Sequence, residues 1–229
     1  MDGNGNGKDE IRGLDVLRES SKIDEELYEF SKKSAEFHGH LCPGLAVGII
    51  ASKIALKDAR RAEDEELVAM VENDACGVDG IQALTGCTFG KGNLVFNDYG
   101  KSVYTFFNRT TGKGLRLSLK AGVFESGKGN RARVLFAKVR NDTATNEERE
   151  EFERLHLEQT REMLERGEDM FTTSVLEMEP PEMARLFDSV LCDDCGEPVM
   201  ATRTIARGDK TLCIPCSDAM GEKGVGGFG

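Results

Sequence analysis

Positive charge is in short supply in this chain. Its 229 residues hold 30 Lys and Arg against 41 Asp and Glu, a net charge of −11. Broad nucleic-acid binding rests on neutralising phosphates, so this deficit argues against it. It offers equally little to an anionic membrane. Long hydrophobic runs are missing too: the best candidate, LAVGIIASKIAL, is broken by Lys53, well short of the roughly 18 apolar residues that a span needs. The opening MDGNGNGKDE lacks the basic-then-apolar pattern of a secretory signal. The expectation is a cytoplasmic protein with no membrane partner. Seven cysteines cannot all pair within one chain. In a reducing cytosol such cysteines bind metal, react or pack as small apolar groups. No internal repeat is visible, so nothing points to a repeat architecture.

What is present reads as an α+β protein: an antiparallel-rich sheet packed with helices, followed by a small four-cysteine zinc finger. Residues 1–20 and 219–229 are expected as a disordered tail and a flexible Gly-rich tail. The core is expected over 21–187 and the finger over 188–218, with EPPE at 179–182 acting as a hinge. Ile23, Leu27, Phe30, Ser34 and Phe37 recur at helical spacing. A buried helix over about 43–60 begins at Pro43, and LVAMVEN follows as a strand. A short helix is expected around 79–84. LVFND, SVYTFFNR, GLRLSLK and RVLFAKVR, punctuated by glycine-containing turns, suggest an antiparallel meander. NEEREEFERLHLEQTREMLERG is a long helix capped by Asn146 and stopped by Gly167, and MFTTSVLEM adds a further strand.

Two clusters carry chemistry. Cys192 and Cys195 form one C-x2-C pair, and Cys213 and Cys216 a second. That spacing belongs to zinc modules, and four thiolates close a tetrahedral Zn²⁺ site with no open position. A segment of ~30 residues buries too little core to fold unaided, so the metal supplies much of its folding free energy. Between Cys192 and Cys216 three basic residues meet four acids with no aromatic. A nucleic-acid reader shows a basic footprint instead. The second cluster is HGHLCPG, where His38, His40 and Cys42 stand two residues apart. In extended geometry all three project to one side, with neighbours ~6.5–7 Å apart. Pro43 holds Cys42 out of helical geometry, and a helix N-terminus there would lower the thiol pKa. Cys76, flanked by Asp74 and Asp79 in NDACGVDG, sits in a comparable setting. A mixed His/Cys set suits zinc or another late transition metal, and fewer than four protein ligands leave room for water or substrate. Glycine-flanked Lys91 in TGCTFGKGN suits either an anion contact or a bare hairpin turn. Cys87 is a candidate reactive thiol or inert packing. His156, mid-helix, reads as packing or surface.

Together, FHGHLCPGLAVG, NDACGVDGIQALTGCTFGKGNL and the four-cysteine tail resemble the FmdE family, which comprises the FmdE component of formylmethanofuran dehydrogenase and its relatives. The resemblance covers residues 23–216 and implies a homodimeric α+β core with a treble-clef-like zinc finger. It also implies a link to a molybdenum or tungsten oxidoreductase complex of methanogenesis, in which the metal–pterin and formyl-transfer chemistry lies on other components. By this resemblance a pocket would join His38, His40, Cys42, Cys76 and Asp79 as catalytic or ligating groups. Asp74, Gln82, Cys87 and Lys91 would bind substrate. Cys42 or Cys76 would serve as ligand or nucleophile, and Asp79 or a histidine would move protons. The rival expectations are a non-catalytic accessory component or metal carrier, a thiol–disulfide device using Cys42 and Cys76, and a nucleic-acid-binding regulator.

Overall fold

The computed structural model describes residues 13–125 and 129–222, so only residues 1–12 and 223–229 of the tails expected over 1–20 and 219–229 lie outside the described residues. The chain divides into two units, one running to Met183 and one from Ala184. The first opens with α1 (Leu14–Arg18), whose Leu14 and Leu17 are buried in the main core. Helix α1 therefore lies within the 1–20 stretch expected as a tail. Two leucines three apart give this single turn an apolar face to bury.

Helix α2 (Glu25–His38) starts where the Asp24 carboxylate accepts the Leu27 N–H at 2.7 Å, and it ends at Gly39 with φ 96°. Glycine takes that left-handed conformation without the steric penalty of a Cβ. Helix α3 (Pro43–Ala55) follows after a short turn. Proline sits at its first position and the Cys42 sulfur accepts the Leu45 N–H at 3.2 Å. Strand β1 (Leu67–Val71) leads to α4 (Gly77–Thr85), and α3 packs closely on α4 through glycines. A Cβ on Gly48 would lie 1.9 Å from the Gly77 carbonyl oxygen, and one on Gly44 would lie 3.1 Å from the Cys76 Cβ. Small residues at this crossing thus draw the N-termini of α3 and α4 together.

The sheet continues with β2 (Leu94–Phe96), β3 (Val103–Asn108), β4 (Lys113–Leu119) and β5 (Phe171–Leu176), in the order β2-β1-β3-β4-β5. Three of the pairings are antiparallel, but β2 runs parallel to β1. LVFND is therefore no part of a meander. The crossover through α4 returns the chain in the same direction, as a β–helix–β connection requires. Leu67, Ala69, Val71, Phe106 and Leu117 join Leu45, Ile49 and Ile50 of α3 in one apolar core.

RVLFAKVR, expected as a strand, lies in helix α5 (Gly129–Arg140). Leu135 is fully buried while Val134 and Phe136 remain half-exposed. Arg, Leu, Ala and Lys are good helix formers, and packing on α6 (Asn146–Arg166) decides the matter. Ion pairs Arg131–Glu151 and Lys138–Glu148 join the two helices. Thr145, not Asn146, caps α6. Its hydroxyl accepts the Glu148 N–H at 3.3 Å, and the Glu148 carboxylate accepts the Thr145 N–H at 3.1 Å. A threonine followed three residues later by glutamate outcompetes asparagine there, because two orphan donors are satisfied at once.

The second unit holds two hairpins, β6 (Ser189–Leu191) with β7 (Pro198–Met200) and β8 (Thr204–Arg207) with β9 (Lys210–Cys213), and then α7 (Ile214–Glu222). Its small buried cluster is Cys192, Leu212 and Cys213, with Val199 and Cys216 packed against it. No helix among the described residues is long and apolar enough to cross a membrane.

Candidate functional site: a thiol–imidazole cluster at two helix N-termini

His38 is the last residue of α2, and the left-handed turn at Gly39 reverses the chain. His40 is thereby folded back onto His38, with ring centroids 4.6 Å apart and planes at 37°. Cys42, the N-cap of α3, completes the group: one donor atom from each of the three side chains lies within 4.8 Å of the others. The sequence-predicted convergence occurs, but through a helix end and a glycine turn rather than one extended strand.

His38 is held at both nitrogens. Its Nδ1 lies 2.7 Å from the Asp79 carboxylate on α4, and its Nε2 lies 3.8 Å from the Cys42 sulfur. The Gln82 amide donates to the other Asp79 oxygen at 3.4 Å, and its carbonyl accepts the Phe89 N–H at 3.3 Å. A carboxylate on one imidazole nitrogen fixes the tautomer and orientation of a ring whose other nitrogen ligates metal. The donor set therefore fits a late transition-metal ion.

The expected thiol pKa is corrected. Burial pushes Cys42 up to about 12, against the lowering pull of the Leu45 and Gly44 N–H groups, and the neighbouring Cys76 pushes it further. Desolvation of a thiolate outweighs the helix N-terminus at this depth. Without a cation beside it, Cys42 is a protonated thiol. Burial lowers the His40 pKa, and so does the adjacent His38.

A cavity of about 760 Å³ opens directly on His40, Cys42 and Cys76. Its opposite wall is Phe124, Phe136, Phe152 and His156. His156, read from sequence as packing or surface, stacks on Phe152 at 4.9 Å and faces the cluster. Burial lowers its pKa, with a smaller contribution from His40. Phe152 and His156 stand four apart on α6, a spacing that puts both side chains on one face. Cys76 also lines a second cavity of about 390 Å³ with His38, Asp74, Asp79 and Gln82.

Two expected pocket residues are elsewhere. Cys87 is fully buried, donates its thiol to the Leu67 carbonyl at 3.3 Å and is pushed up to about 11 by burial. Lys91 donates to the Ala62 and Glu63 carbonyls at 3.2 and 3.4 Å. Both tie the 85–93 loop to the core. Glycine neighbours made them resemble ligand contacts, whereas the glycines serve the turns.

Residues 37–173 match the family described as FmdE, molybdenum formylmethanofuran dehydrogenase operon. The chain belongs to the FmdE family. The match spans the whole thiol–imidazole cluster and the sheet as far as the start of β5. A crystal structure of a tungsten formylmethanofuran dehydrogenase FmdE-like protein from Syntrophus aciditrophicus shares 25% identity with a TM-score of 0.56, covering 88% of this chain and 95% of that one. A probable S-adenosyl-L-methionine-binding protein of Archaeoglobus fulgidus is 34% identical over 193 residues, 81% of this chain but 51% of the relative. This FmdE-family chain thus spans about half the length of that relative.

Residues 185–218 match the prokaryotic dksA/traR C4-type zinc finger. Cys192, Cys195, Cys213 and Cys216 offer four sulfurs within 4.8 Å of one another. The Cys213 N–H points at the Cys192 sulfur at 3.3 Å. Backbone N–H groups of Cys195, Cys213 and Asp194 draw the Cys192 thiol down to about 6. The set fits a structural zinc ion, which would be closed on all four sides by protein.

Proposed function

We propose that the core is a metal-dependent small-molecule-binding module in which His38, His40 and Cys42 hold a transition-metal ion. The single observation that carries this reading is the convergence of three metal-ligating donors beside a cavity that His40 and Cys42 line, with Asp79 on His38. Three protein ligands leave a position for a ligand from the cavity. When bound, such a metal acts as a Lewis acid on a group placed against it. The protein's own residues do the rest. Asp79 would hold the His38 Nδ1–H and leave Nε2 to the metal, Cys42 would bind as thiolate with its proton released to water, and the phenylalanines would offer apolar contact to the ligand. Metal analysis of the full chain tests this directly. Two equivalents per chain are expected, falling to one in H38A and in C42S. One equivalent in the wild type, or two in both variants, would sink the proposal.

Family membership supports a role in one-carbon metabolism as an accessory component of an oxidoreductase complex, and a homodimeric assembly. The name of the Syntrophus relative supports the same direction. Turnover by the isolated chain would replace the accessory role with catalysis, and light scattering reads the assembly. A second reading has one observation behind it: Phe124, Phe136 and Phe152 offer aromatic faces to a planar ring, and the Archaeoglobus relative is named for S-adenosyl-L-methionine. Calorimetric titration with that compound, repeated on F136A and F152A, decides it. Heat that is unchanged in both variants rules this cavity out as the binding place.

A further inference from the structure

Against the general deficit of positive charge, three cations meet at one end of the sheet. The β3–β4 ladder pairs Thr105 with Arg116 and Val103 with Ser118, and the Leu119 N–H donates to the Ser102 carbonyl at 3.0 Å. Lys101 and Lys120 lie just beyond the ends of the paired segments, and both line one groove with Arg116. Arg116, Ser118 and Lys120 alternate onto one face, as strand geometry dictates. Like charges gathered on one surface repel, so this grouping asks for an explanation.

Acidic neighbours neutralise only part of the cluster, since Glu72 pairs with Arg116 alone. Lys120 donates to a neutral acceptor, the Asp169 carbonyl, at 2.9 Å. Lys101 leans over the Tyr99 ring at 5.8 Å. Arg116 meets its nearest carboxylate, Glu72, only at 4.0 Å. No carboxylate among the described residues forms an ion pair with Lys101 or Lys120. All three cations line a groove of about 510 Å³ together with the hydroxyl-bearing Ser102 and Ser118, and Glu125 is its one acid. Phe124 and Glu125 also line the thiol–imidazole cavity, so the groove and the cavity share a wall.

We propose that this groove is an oxyanion subsite, which holds a phosphate-type group of the ligand whose other end enters the thiol–imidazole cavity. Three donors of positive charge and two hydroxyls match a compact anion with several acceptor oxygens. The ligand class is then an elongated molecule, with a soft or planar end for the cavity and an anionic end for the groove. The subsite stands on the cation cluster alone, while its service to the cavity rests on the reading above.

The test uses the full chain loaded with zinc and inorganic phosphate as the probe. In amide NMR spectra at low ionic strength, phosphate is expected to give saturable shifts at Lys101, Ser102, Ser118 and Lys120. Binding should weaken roughly tenfold in K101A/K120A, the loss of charge-assisted contacts. Matched chloride should not reproduce the shifts. Absence of saturation, an unchanged response in the double variant, or equal shifts with chloride would overturn the subsite. A second arm links groove to cavity. The Cys76 thiol displaces iodide from iodoacetate and iodoacetamide alike, so their rate ratio isolates the charge of the reagent. That ratio, read by mass spectrometry at Cys76, should fall several-fold in K101A/K120A with the iodoacetamide rate unchanged. An unchanged ratio would detach the groove from the cavity. Metal content is read separately, so a failed metal site and a failed anion subsite give different results.

Discussion

The two cysteine-containing clusters use similar donors in different numbers and surroundings. In the second unit four sulfurs lie within 4.8 Å of one another; backbone N–H groups favour the ionised form of Cys192, while the neighbouring thiols push Cys216 up. In the core the Cys42 sulfur is buried beside Cys76, pushed up to about 12, and shares its surroundings with two imidazoles and an open cavity. The lesson is that coordination number and desolvation separate the two roles. A closed set of four spends its binding energy on folding a small unit, whereas an incomplete set on a prebuilt scaffold keeps a position for something else.

The largest expected effect lies on the four-cysteine side of that comparison. C213S, or removal of metal by a chelator, should abolish the ordered structure of the second unit. Structural zinc supplies about 10–16 kcal/mol to such modules. Circular dichroism and NMR should show the core's signals preserved, and a second unit that stays folded without metal would erase the contrast. Next comes the scaffold of the core site. G48A pushes a methyl into the Gly77 carbonyl and should destabilise the core by about 3 kcal/mol, read by denaturant unfolding. A neutral result would mean that the glycine crossing does not set the cluster.

Smaller effects sharpen the comparison. D79N keeps the shape but loses the negative partner of His38, and should weaken core metal binding about 10–100-fold. Competition with a chromophoric chelator measures this, and equal affinity would make Asp79 a bystander. C87A should cost only about 1 kcal/mol, since it removes one thiol–carbonyl contact. Metal content should stay at the wild-type value, and a lost equivalent would return Cys87 to the site.

Much of this was legible because local chemistry and tertiary demand agree. Asp24 and Gly39 frame α2, Pro43 opens α3, and each element formed within a few residues of its sequence signal. The four-cysteine spacing alone located its cluster. Other features escaped for identifiable reasons. RVLFAKVR carries too few β-branched residues to resist a helical partner, and only packing on α6 settles its state. LVFND reads as a strand, but its direction depends on the crossover through α4. The aromatic wall was hidden because Phe124, Phe136 and Phe152 sit far from His38 and His40 in sequence and look like ordinary core residues.

The sequence by itself determined the donor inventory: which residues can ligate metal, that four cysteines form a closing set, and that His38, His40 and Cys42 stand close together along the chain. Covalent spacing controls such short-range relations. Only the tertiary structure decided which distant groups meet them. It set Asp79 behind His38, Cys76 and His156 beside the cavity, Cys87 and Lys91 away from it, and the Cys42 thiol in its protonated form. The reason is physical: burial and long-range packing fix both the neighbours of a group and the cost of its charge, and neither is written in any local stretch of residues.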